Sequence, residues 1–290
     1  MKHRSISPTL TERISMLIAE ADFILIGAGA GMSVDAGIDF SESEDFLRRY
    51  PYFRAIGLLT AGHSIGFPWP TKSMEWAFYA RHLHEVLYLP PPRPDPYIQL
   101  KIITGRADRW VLTSNADDLF PRMGFEPDRL WTRQGTYSRV QCLKPCCEEV
   151  WDSAPYVEHL LPKVDLVTGE LTDRMAIPKC PRCAGDMMLN VRGGRWFVEK
   201  PYQPQQQAFL EWLGRTAGGR LVVIEVGAGF NTPSVVRWPC ESIAAHHPNA
   251  HLIRINPDYP ETQHPMNGRS TCIAARGAEV LHLLASHSRK

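Results

Sequence analysis

Phe23-Ile24-Leu25-Ile26, followed by Gly27-Ala28-Gly29-Ala30-Gly31, is the stretch that decides the fold. A short apolar run that ends in glycines is typical of a buried parallel strand whose carboxyl end turns tightly. Residues 110–113, 221–224 and 251–255 form similar runs, and each ends at a small or polar residue. The sequence therefore predicts an α/β fold with a doubly wound parallel sheet and a ligand crevice beyond the carboxyl ends of the strands.

Helical patterns accompany these strands. Thr9 and Glu12 have the spacing of a capping box, and apolar residues at helical spacing follow them, so a first helix is predicted from about residue 10 to residue 20. Similar patterns occur around residues 205–214 and after residue 234.

Two segments interrupt this alternation. Residues 41–99 are aromatic-rich, with a predicted helix over 72–88, and end in a proline-rich stretch at 90–96 that we expect to be extended. Residues 136–200 hold five of the seven cysteines and too few periodic apolar residues for a core of their own. The predicted organisation is thus a helical insertion or lid at 41–99, a small zinc-binding module at 136–200, and a large α/β domain made from 1–40, 100–135 and 201–290.

Composition and charge narrow the class of protein. The chain of 290 residues is 44% apolar and 22% charged, which is ordinary for a globular protein, and its formal net charge is +1. Near-neutral charge gives no electrostatic reason to expect a nucleic acid or a membrane surface as partner. No apolar run is long enough to span a bilayer, and the N-terminus does not resemble a signal peptide. We therefore expect a cytoplasmic protein.

The cysteines indicate a metal site. Without a secretory signal, closely spaced cysteines favour metal binding over disulfides. Cys142 with Cys146 or Cys147, together with Cys180 and Cys183, offers four thiolates that can surround zinc and leave no open position, which is typical of a structural site. We take Cys146 as the fourth ligand, with Cys147 as the alternative; buried free thiols are the other interpretation.

Two motifs would face the predicted crevice. The glycine turn lets backbone amides approach a diphosphate, or is simply a tight turn. Its spacing departs from the dinucleotide fingerprint GxGxxG, because Val34 stands where the third glycine belongs, and this disfavours a dehydrogenase. Thr113-Ser114-Asn115-Ala116-Asp117 directly follows a predicted strand. Its amide and carboxylate are suited to binding a cofactor's carboxamide and ribose, or to capping a helix.

Taken in order, these stretches resemble the sirtuin family over nearly the whole chain. The segment from Gly29 to Ile38 is similar to the family's GAGxSxxxGI, and Ser114-Asn115-Ala116-Asp117 is similar to its QNxD. Gly227-Ala228-Gly229 lies where sirtuins carry a GTS-type turn, and Asn256 where they carry an Asn beside the adenosine. The resemblance implies a Rossmann-like large domain, a small zinc domain, and NAD consumed as a co-substrate, with nicotinamide released and the ADP-ribosyl group transferred.

Two departures from the sirtuin pattern bear on the reaction. Where deacylating sirtuins have His-Gly, with the histidine as general base, this chain has Gln134-Gly135. A glutamine amide does not take up a proton near neutral pH, so it can orient a substrate but cannot act as that base. The family's GIPDFR segment is present as Gly37-Ile38-Asp39-Phe40-Ser41, without its proline and arginine. Ordinary deacetylation is therefore not expected.

The same departures resemble the macrodomain-associated class M sirtuins of microbes. Gly229-Phe230-Asn231-Thr232-Pro233, with Arg237, is similar to that class's GFNTP segment. Glu75-Trp76-Ala77-Phe78-Tyr79-Ala80-Arg81-His82 in the helical insertion also favours this class, with packing as the other interpretation of its aromatic residues. This resemblance implies a protein ADP-ribosyltransferase whose acceptor is a lipoyl-carrier protein, with a macrodomain hydrolase in the same pathway.

The resemblance also implies roles for individual residues. Asp117 would hold the nicotinamide carboxamide, Asn115 would order the ribose or the attacking group, and Gln134 would bond the ribose hydroxyls. Amides from Ala30 to Ser33 would hold the diphosphate. The expected NAD contacts are Gly29, Ala30, Gly31, Ser33, Val34, Phe40, Ser114, Ala116, Gly227, Gly229, Asn231, Thr232 and Asn256. The expected zinc ligands are Cys142, Cys146, Cys180 and Cys183.

Two other functions remain open from sequence. A protein deacylase would need another base, for which the insertion offers His63, His82 and His84. An NAD hydrolase or NAD sensor would bind the nucleotide without modifying a protein.

Overall fold

A computed structural model describes residues 7–41 and 43–288. The strands are β1 (Phe23–Ala28), β2 (Asp108–Thr113), β3 (Leu130–Thr132), β4 (Gly135–Cys142), β5 (Trp151–Asp152), β6 (Met187–Val191), β7 (Leu221–Val226), β8 (Ala250–Ile255) and β9 (Ser270–Ile273). The α-helices are α1 (Pro8–Ala19), α2 (Ala30–Asp35), α3 (Ser43–Arg49), α4 (Lys72–Leu83), α5 (Asp95–Thr104), α6 (Leu119–Arg122), α7 (Ala154–Leu160), α8 (Gln203–Arg215), α9 (Arg237–His246) and α10 (Gly277–His287).

Shorter helical turns complete the secondary structure. A π-helical turn, His84–Tyr88, continues α4. The 3-10 turns are Pro51–Ile56, Ala61–His63, Pro127–Arg129, Leu161–Lys163, Arg174–Ala176, Lys200–Tyr202 and Thr216–Gly218.

The described residues form a six-stranded parallel sheet in the order β3-β2-β1-β7-β8-β9. The chain first builds outward from β1 to β3 and then returns to build from β7 to β9, so the strand order reverses between β1 and β7. Ligands of such sheets bind where the order reverses, beyond the carboxyl ends of the strands. The predicted doubly wound, Rossmann-like sheet is confirmed, and the crevice lies beyond Ala28 and Val226.

The sheet is covered on both faces because successive side chains of a strand point to opposite sides. Ile24 and Ile26 of β1 pack in a core with residues of α1, α5 and α10, whereas Leu25 packs in a second core with Trp212 of α8 and Cys240 of α9. The edge strands β3 and β9 escaped the sequence prediction. Both are short, and polar residues interrupt their apolar pattern.

The start of α1 differs from the prediction. Pro8 is the first helical residue, and the hydroxyl of Ser7 accepts a hydrogen bond from the Leu10 amide at 3.1 Å. The prediction that Thr9 and Glu12 form a capping box at the start of α1 was therefore wrong. Ser followed by Pro is itself a strong helix start, because the hydroxyl satisfies a free amide and the prolyl ring already has a helical φ.

The insertion contains the predicted helix, as α4 and its π-helical turn, together with α3. Its core is a cluster of aromatic rings that includes Phe46, Tyr50, Phe53 and Phe78. The expectation of extended backbone over 90–96 was wrong at its end, because α5 begins at Asp95. Proline is tolerated in a helix's first turn, where the missing amide has no partner in any case.

The small module carries an antiparallel sheet in the order β5-β4-β6. Its apolar residues, such as Val140 and Leu189, pack in the same cluster as the aromatic rings of the insertion. The module thus shares a core with the insertion. None of the helices within the described residues is both long and apolar enough to cross a bilayer.

Candidate functional site: a glycine-lined crevice, a buried serine–aspartate pair and a four-cysteine cluster

Two glycine turns meet at the crevice between β1 and β7. The Gly29 amide donates to the Val226 carbonyl and the Gly31 amide to the Gly227 carbonyl, both at 3.0 Å. Gly227 has φ +65°, and a Cβ on it would lie 2.5 Å from the Cα of Gly31. Glycine is required here both for the left-handed backbone and for the contact between the two turns.

A cavity of about 290 Å³ opens on these turns, and we call it the nucleotide cavity. It is lined by Gly29, Ala30, Gly31, Ser114, Gly227, Ala228, Gly229, Phe230, Asn231, Thr232, Val236, Asn256, Pro257, Asp258 and Tyr259. The structure thus brings most of the expected NAD contacts together. Ser33, Val34, Phe40 and Ala116 do not line it.

The diphosphate role expected of every amide from Ala30 to Ser33 does not fit the hydrogen bonding. The Gly31 amide is bonded to Gly227, and the Met32 amide donates to the Gly29 carbonyl at 3.0 Å. Two of these amides thus already have partners within the protein. The Gly31 amide joins the two glycine turns, and the Met32 amide belongs to the first turn of α2.

Asp117 forms a buried polar pair with Ser33. The Ser33 hydroxyl donates to its Oδ2 at 2.5 Å, and the Leu119 amide donates to its Oδ1 at 3.0 Å. The side chain is 1% exposed, and burial raises the pKa of this carboxyl while the Ser33 bond opposes the rise. The capping interpretation is confirmed, because Asp117 accepts from the first amide of α6. The role in cofactor binding stays a prediction, and the Ser33 bond fixes the carboxylate that it requires.

Asn115 joins the end of β2 to the glycine turn. Its Nδ2 donates to the Gly29 carbonyl at 3.0 Å, and its backbone amide donates to the Thr113 hydroxyl at the same distance. Since the side chain is only 8% exposed, the amide is held in one orientation beside the crevice.

Gln134 lies in the link from β3 to β4, where the chain leaves the large sheet for the small module. Its carbonyl accepts from the Arg192 amide at 2.8 Å, whereas its side-chain Oε1 is buried and has no hydrogen-bond partner among the described residues. The next residue, Gly135, has φ +81°, and a Cβ on it would lie 2.1 Å from the Asn190 carbonyl oxygen. An unpartnered buried acceptor costs free energy unless a ligand donor satisfies it.

Phe40 lies in the insertion's aromatic cluster. Its ring centroid is 5.7 Å from that of His82 and 5.9 Å from that of Tyr137. Phe40 and His82 line a separate cavity of about 420 Å³. Both ring nitrogens of His82 are buried without partners in the part of the chain described, and burial, with a contribution from Arg49, lowers its pKa to about 3. This imidazole is neutral at physiological pH and too weakly basic to serve as a general base there.

A buried ionic cluster beneath the nucleotide cavity was missed from sequence. Arg254 donates a hydrogen bond from Nη2 to Glu225 at 2.9 Å. It also forms ion pairs with Glu225, Nε lying 2.8 Å from Oε1, and with Glu241, Nη1 lying 2.7 Å from Oε2. All three side chains are at most 1% exposed. Glu225 and Arg254 are paired in register on β7 and β8. The sequence did offer a signal: two mostly apolar strand segments each contain one charged residue, Glu225 in one and Arg254 in the other, and the two charges are opposite.

Arg237, also buried in this cluster, holds the loops around the nucleotide cavity. Its guanidinium donates to the carbonyls of Ala228 at 3.1 Å, Tyr259 at 2.9 Å and Glu261 at 2.9 Å. It also lies 4.5 Å from the centroid of the Phe230 ring. One side chain therefore fixes both the loop after β7 and the loop after β8.

Two further side chains shape these loops. Asn256 donates to the Ala228 carbonyl at 3.0 Å and accepts from the amides of Asp258 and Tyr259. Arg133, next to Gln134, donates to the carbonyls of Ser234 at 2.9 Å and Val235 at 3.0 Å. The nucleotide cavity is thus tied to the link between the two sheets.

The four cysteines expected to bind zinc lie together. The sulfurs of Cys142, Cys146, Cys180 and Cys183 are all within 4.8 Å of one another. Cys142 and Cys183 are 3.7 Å apart, and Cys146 and Cys180 are 3.6 Å apart. Four sulfurs at about 2.3 Å from a tetrahedral zinc lie about 3.8 Å from each other, so the donor set fits zinc. Cys147, 3.9 Å from Cys146, is outside this group.

Several known proteins are similar to this chain. A Fusarium oxysporum f. sp. cubense protein named probable bifunctional ADP-ribose hydrolase/ADP-ribosyltransferase is 34% identical over 279 residues, covering 92% of this chain but 46% of that protein. A Staphylococcus aureus protein ADP-ribosyltransferase is 26% identical over 255 residues, covering 84% of this chain and 77% of that protein. A Thermococcus kodakarensis NAD-dependent protein deacylase is 26% identical, covering 67% of this chain and 66% of that protein.

The chain thus spans about half the length of the Fusarium relative. No family model matches the chain. Among solved structures, a Sir2 homologue in complex with NAD is similar in fold, with a TM-score of 0.61 and 20% identity, covering 100% of this chain and 96% of that one. These relatives, the strand order and the four-cysteine cluster agree in supporting the resemblance to the sirtuin family, and the chain has the Sir2 fold.

Proposed function

We propose that this protein is an NAD-dependent protein ADP-ribosyltransferase. The observation that carries the proposal is Gln134, whose buried Oε1 has no hydrogen-bond partner among the described residues. By the sequence resemblance, this residue stands where deacylating sirtuins have their basic histidine. An amide oxygen there can accept from a ribose hydroxyl but cannot take its proton. The ADP-ribosyltransferase names of the Fusarium and Staphylococcus relatives support the same reaction.

The nucleotide cavity would hold the diphosphate-bearing part of NAD. Its lining includes no lysine or arginine within the described residues, so backbone amides of the glycine turns would have to bind the diphosphate. Asp117, fixed by Ser33, would bind the carboxamide of the nicotinamide end, and Asn115 would order the adjoining ribose. These roles remain proposals for the individual residues.

In the proposed reaction, the bond between the nicotinamide nitrogen and the anomeric carbon breaks, and nicotinamide leaves with the electron pair. A nucleophilic atom of the acceptor protein forms the new bond to that carbon. If the nucleophile is a carboxylate, no proton has to be removed, which agrees with glutamine in place of the family's basic histidine at residue 134. The protein's contribution is then mainly to hold the reactants in position.

His82 does not supply the base that a deacylase would need. His82 is buried, its nitrogens are covered, and its pKa is lowered to about 3. We therefore rank deacylation below ADP-ribosyl transfer.

We further propose a lipoyl-carrier protein as the acceptor and a macrodomain-type hydrolase as a partner in the same pathway. The acceptor rests on the class M resemblance of the GFNTP segment. The hydrolase has additional support from the name of the Fusarium relative, which couples ADP-ribose hydrolase with transferase.

The test is incubation with labelled NAD, lipoylated and unlipoylated carrier protein, and an acetyl-lysine peptide, with all products scored by mass. We expect label on the carrier, reduced on the order of 10²-fold by Asn115→Ala or Gln134→Ala, because each removes a positioned polar group.

The conservative control is Gln134→Glu, which keeps the shape and the acceptor but adds a charge. Peptide deacetylation without labelled carrier would overturn the proposal. Release of nicotinamide with no labelled protein would instead establish an NAD hydrolase.

A further inference from the structure

A second cavity lies between the insertion and the small module, away from the nucleotide cavity. It has a volume of about 380 Å³, and we call it the aromatic pocket. Its lining is Gly66, Phe67, Trp69, Pro70, Thr71, Lys72, Glu75, Tyr79, Leu143, Met188 and Trp196. No residue proposed for NAD, zinc or catalysis is among them.

Four aromatic side chains form much of this lining. The Trp69 centroid is 5.2 Å from that of Phe67 and 6.1 Å from that of Tyr79, and Trp196 joins them from the small module. Aromatic faces attract cations, and several such faces around one cavity are typical of sites for ammonium groups. In the described chain, arginines lie over other rings, but no cation lies over any of these four.

A buried carboxylate completes the lining. Glu75 is 6% exposed, and its Oε2 accepts from the Lys72 Nζ at 2.5 Å. Burial raises the pKa of Glu75, and the Lys72 bond opposes that rise. The Lys72 side chain is 35% exposed, so its ammonium can move into solvent and leave the carboxylate to another cation.

Trp196 provides an additional, unused polar group. Its indole Nε1 is buried and has no acceptor within the residues described. Because Trp196 lines the pocket, the NMR signal of this N–H reports on a change in the lining.

We propose that the aromatic pocket is a binding site for an alkylammonium group, with Glu75 as counter-ion and the four aromatic faces as its walls. The source that fits is a lysine side chain of the acceptor protein, an assignment that rests on the proposed function. Leu143 and Met188 in the lining would contact its methylene stem. The internal ammonium of Lys72 is then a competitor for the same carboxylate.

The binding test needs neither NAD nor an acceptor protein. The zinc-loaded protein is titrated with Nα-acetyl-lysine N-methylamide, and the indole N–H signals of Trp69 and Trp196 are followed by NMR. We expect saturable shifts of both signals. The neutral norleucine analogue, which keeps the stem but lacks the ammonium, should bind about tenfold more weakly.

Two variants on the same helix give opposite expected results. Glu75→Gln keeps the size of the side chain but removes its charge, so affinity should fall about tenfold. Lys72→Met removes the competing ammonium, so affinity should rise. If Glu75 and Lys72 form only a structural ion pair over a closed pocket, neither variant changes the titration, and that result overturns the proposal.

A third ligand identifies the source of the cation. Choline is compared with its neutral isostere, 3,3-dimethylbutanol. Saturable binding of choline but not of the lysine derivative would overturn the acceptor-lysine assignment in favour of a small quaternary amine, and equal binding of the neutral compounds would overturn the cation site itself. Because no turnover is measured, failure here is distinct from failure of the ADP-ribosyltransferase proposal.

Discussion

The nucleotide cavity and the insertion–module region are built by different means. Around the nucleotide cavity, backbone contacts between glycine turns and a buried cluster of Arg254, Arg237, Glu225 and Glu241 hold the loops in place. In the other region, a cluster of aromatic rings packs against the small antiparallel sheet, and four thiols lie together beside it. The cavity side is thus preorganised by buried ion pairs between charged groups. On the insertion side, both ring nitrogens of the neutral His82 and the indole nitrogen of Trp196 are buried without a hydrogen bond among the described residues.

Removing a thiol should have the largest effect, confined to the insertion–module region. Cys180→Ser removes one of four ligands, and a structural zinc site contributes on the order of 10 kcal/mol to the folding of the unit that holds it. We expect bound zinc to fall from about one ion per chain to near zero and the module to lose its protection from hydrogen exchange.

The matched control is Cys147→Ser, since Cys147 lies outside the group of four sulfurs. It should retain the zinc and leave Tm unchanged. Loss of zinc in this variant, with retention in Cys146→Ser, would contradict the assignment of the fourth ligand.

The next largest effect tests the ionic cluster beneath the nucleotide cavity. Glu225→Gln leaves Arg254 and Arg237 buried with one carboxylate fewer, and breaking a buried ion pair costs about 3–5 kcal/mol. Urea unfolding should show this loss. Glu20→Gln, which breaks an exposed pair with Arg220, is the control and should change stability little. Equal losses of stability in the two variants would show that the buried ionic cluster contributes no more to stability than an exposed ion pair.

His82 gives a pH-dependent prediction for the insertion. Its pKa is lowered to about 3 by burial, against about 6.5 in the unfolded chain, so between these values the unfolded state binds one more proton. Stability is therefore lost as pH falls below about 6.5, and the loss reaches ~2 kcal/mol at pH 5. His82→Phe should remove this dependence and keep the stacking on Phe78.

The measurement is urea unfolding of both proteins at pH 8 and pH 5. Parallel losses of stability in the two proteins would show that His82 is not the group responsible. His63→Phe, at an exposed position, serves as the control and should behave as the unmodified protein.

The smallest effect is expected where the two regions are joined. Arg133→Met keeps the length of the side chain but removes its bonds to the Ser234 and Val235 carbonyls. A hydrogen bond from a charged guanidinium to a neutral carbonyl contributes at most about 1.5–3 kcal/mol to stability, and exposure to solvent reduces this contribution. We expect KM for NAD to rise several-fold and kcat to change less. A fall in kcat alone would mean that Arg133 positions Gln134 instead of the loop.

Much of the fold was predictable because its signals are local. Four apolar runs ending in small or polar residues predicted β1, β2, β7 and β8, and all four are strands of the parallel sheet. The edge strands β3 and β9 were not predicted, since short segments with mixed polarity carry no clear period. The start of α1 was misplaced because Ser7 and Thr9 both qualify as caps, and only the observed bond from Leu10 distinguishes them.

The residues of the crevice were predictable where they directly follow a parallel strand of the large sheet. Residues following β1, β2, β7 and β8 had to meet, because parallel strands end on one side. The pairing of Ser33 with Asp117 and the clamp formed by Arg237 could not be predicted, since both join segments that are far apart in the chain.

The sequence by itself determined the parallel sheet, the glycine turns and the set of thiols, because each depends on residue type and spacing within a short segment. Tertiary structure alone decided which polar groups are satisfied. Burial leaves Gln134 with a free acceptor, keeps His82 neutral, and places Glu75 among four aromatic side chains. These properties depend on neighbours brought from distant parts of the chain, and on the exclusion of water that only complete packing produces.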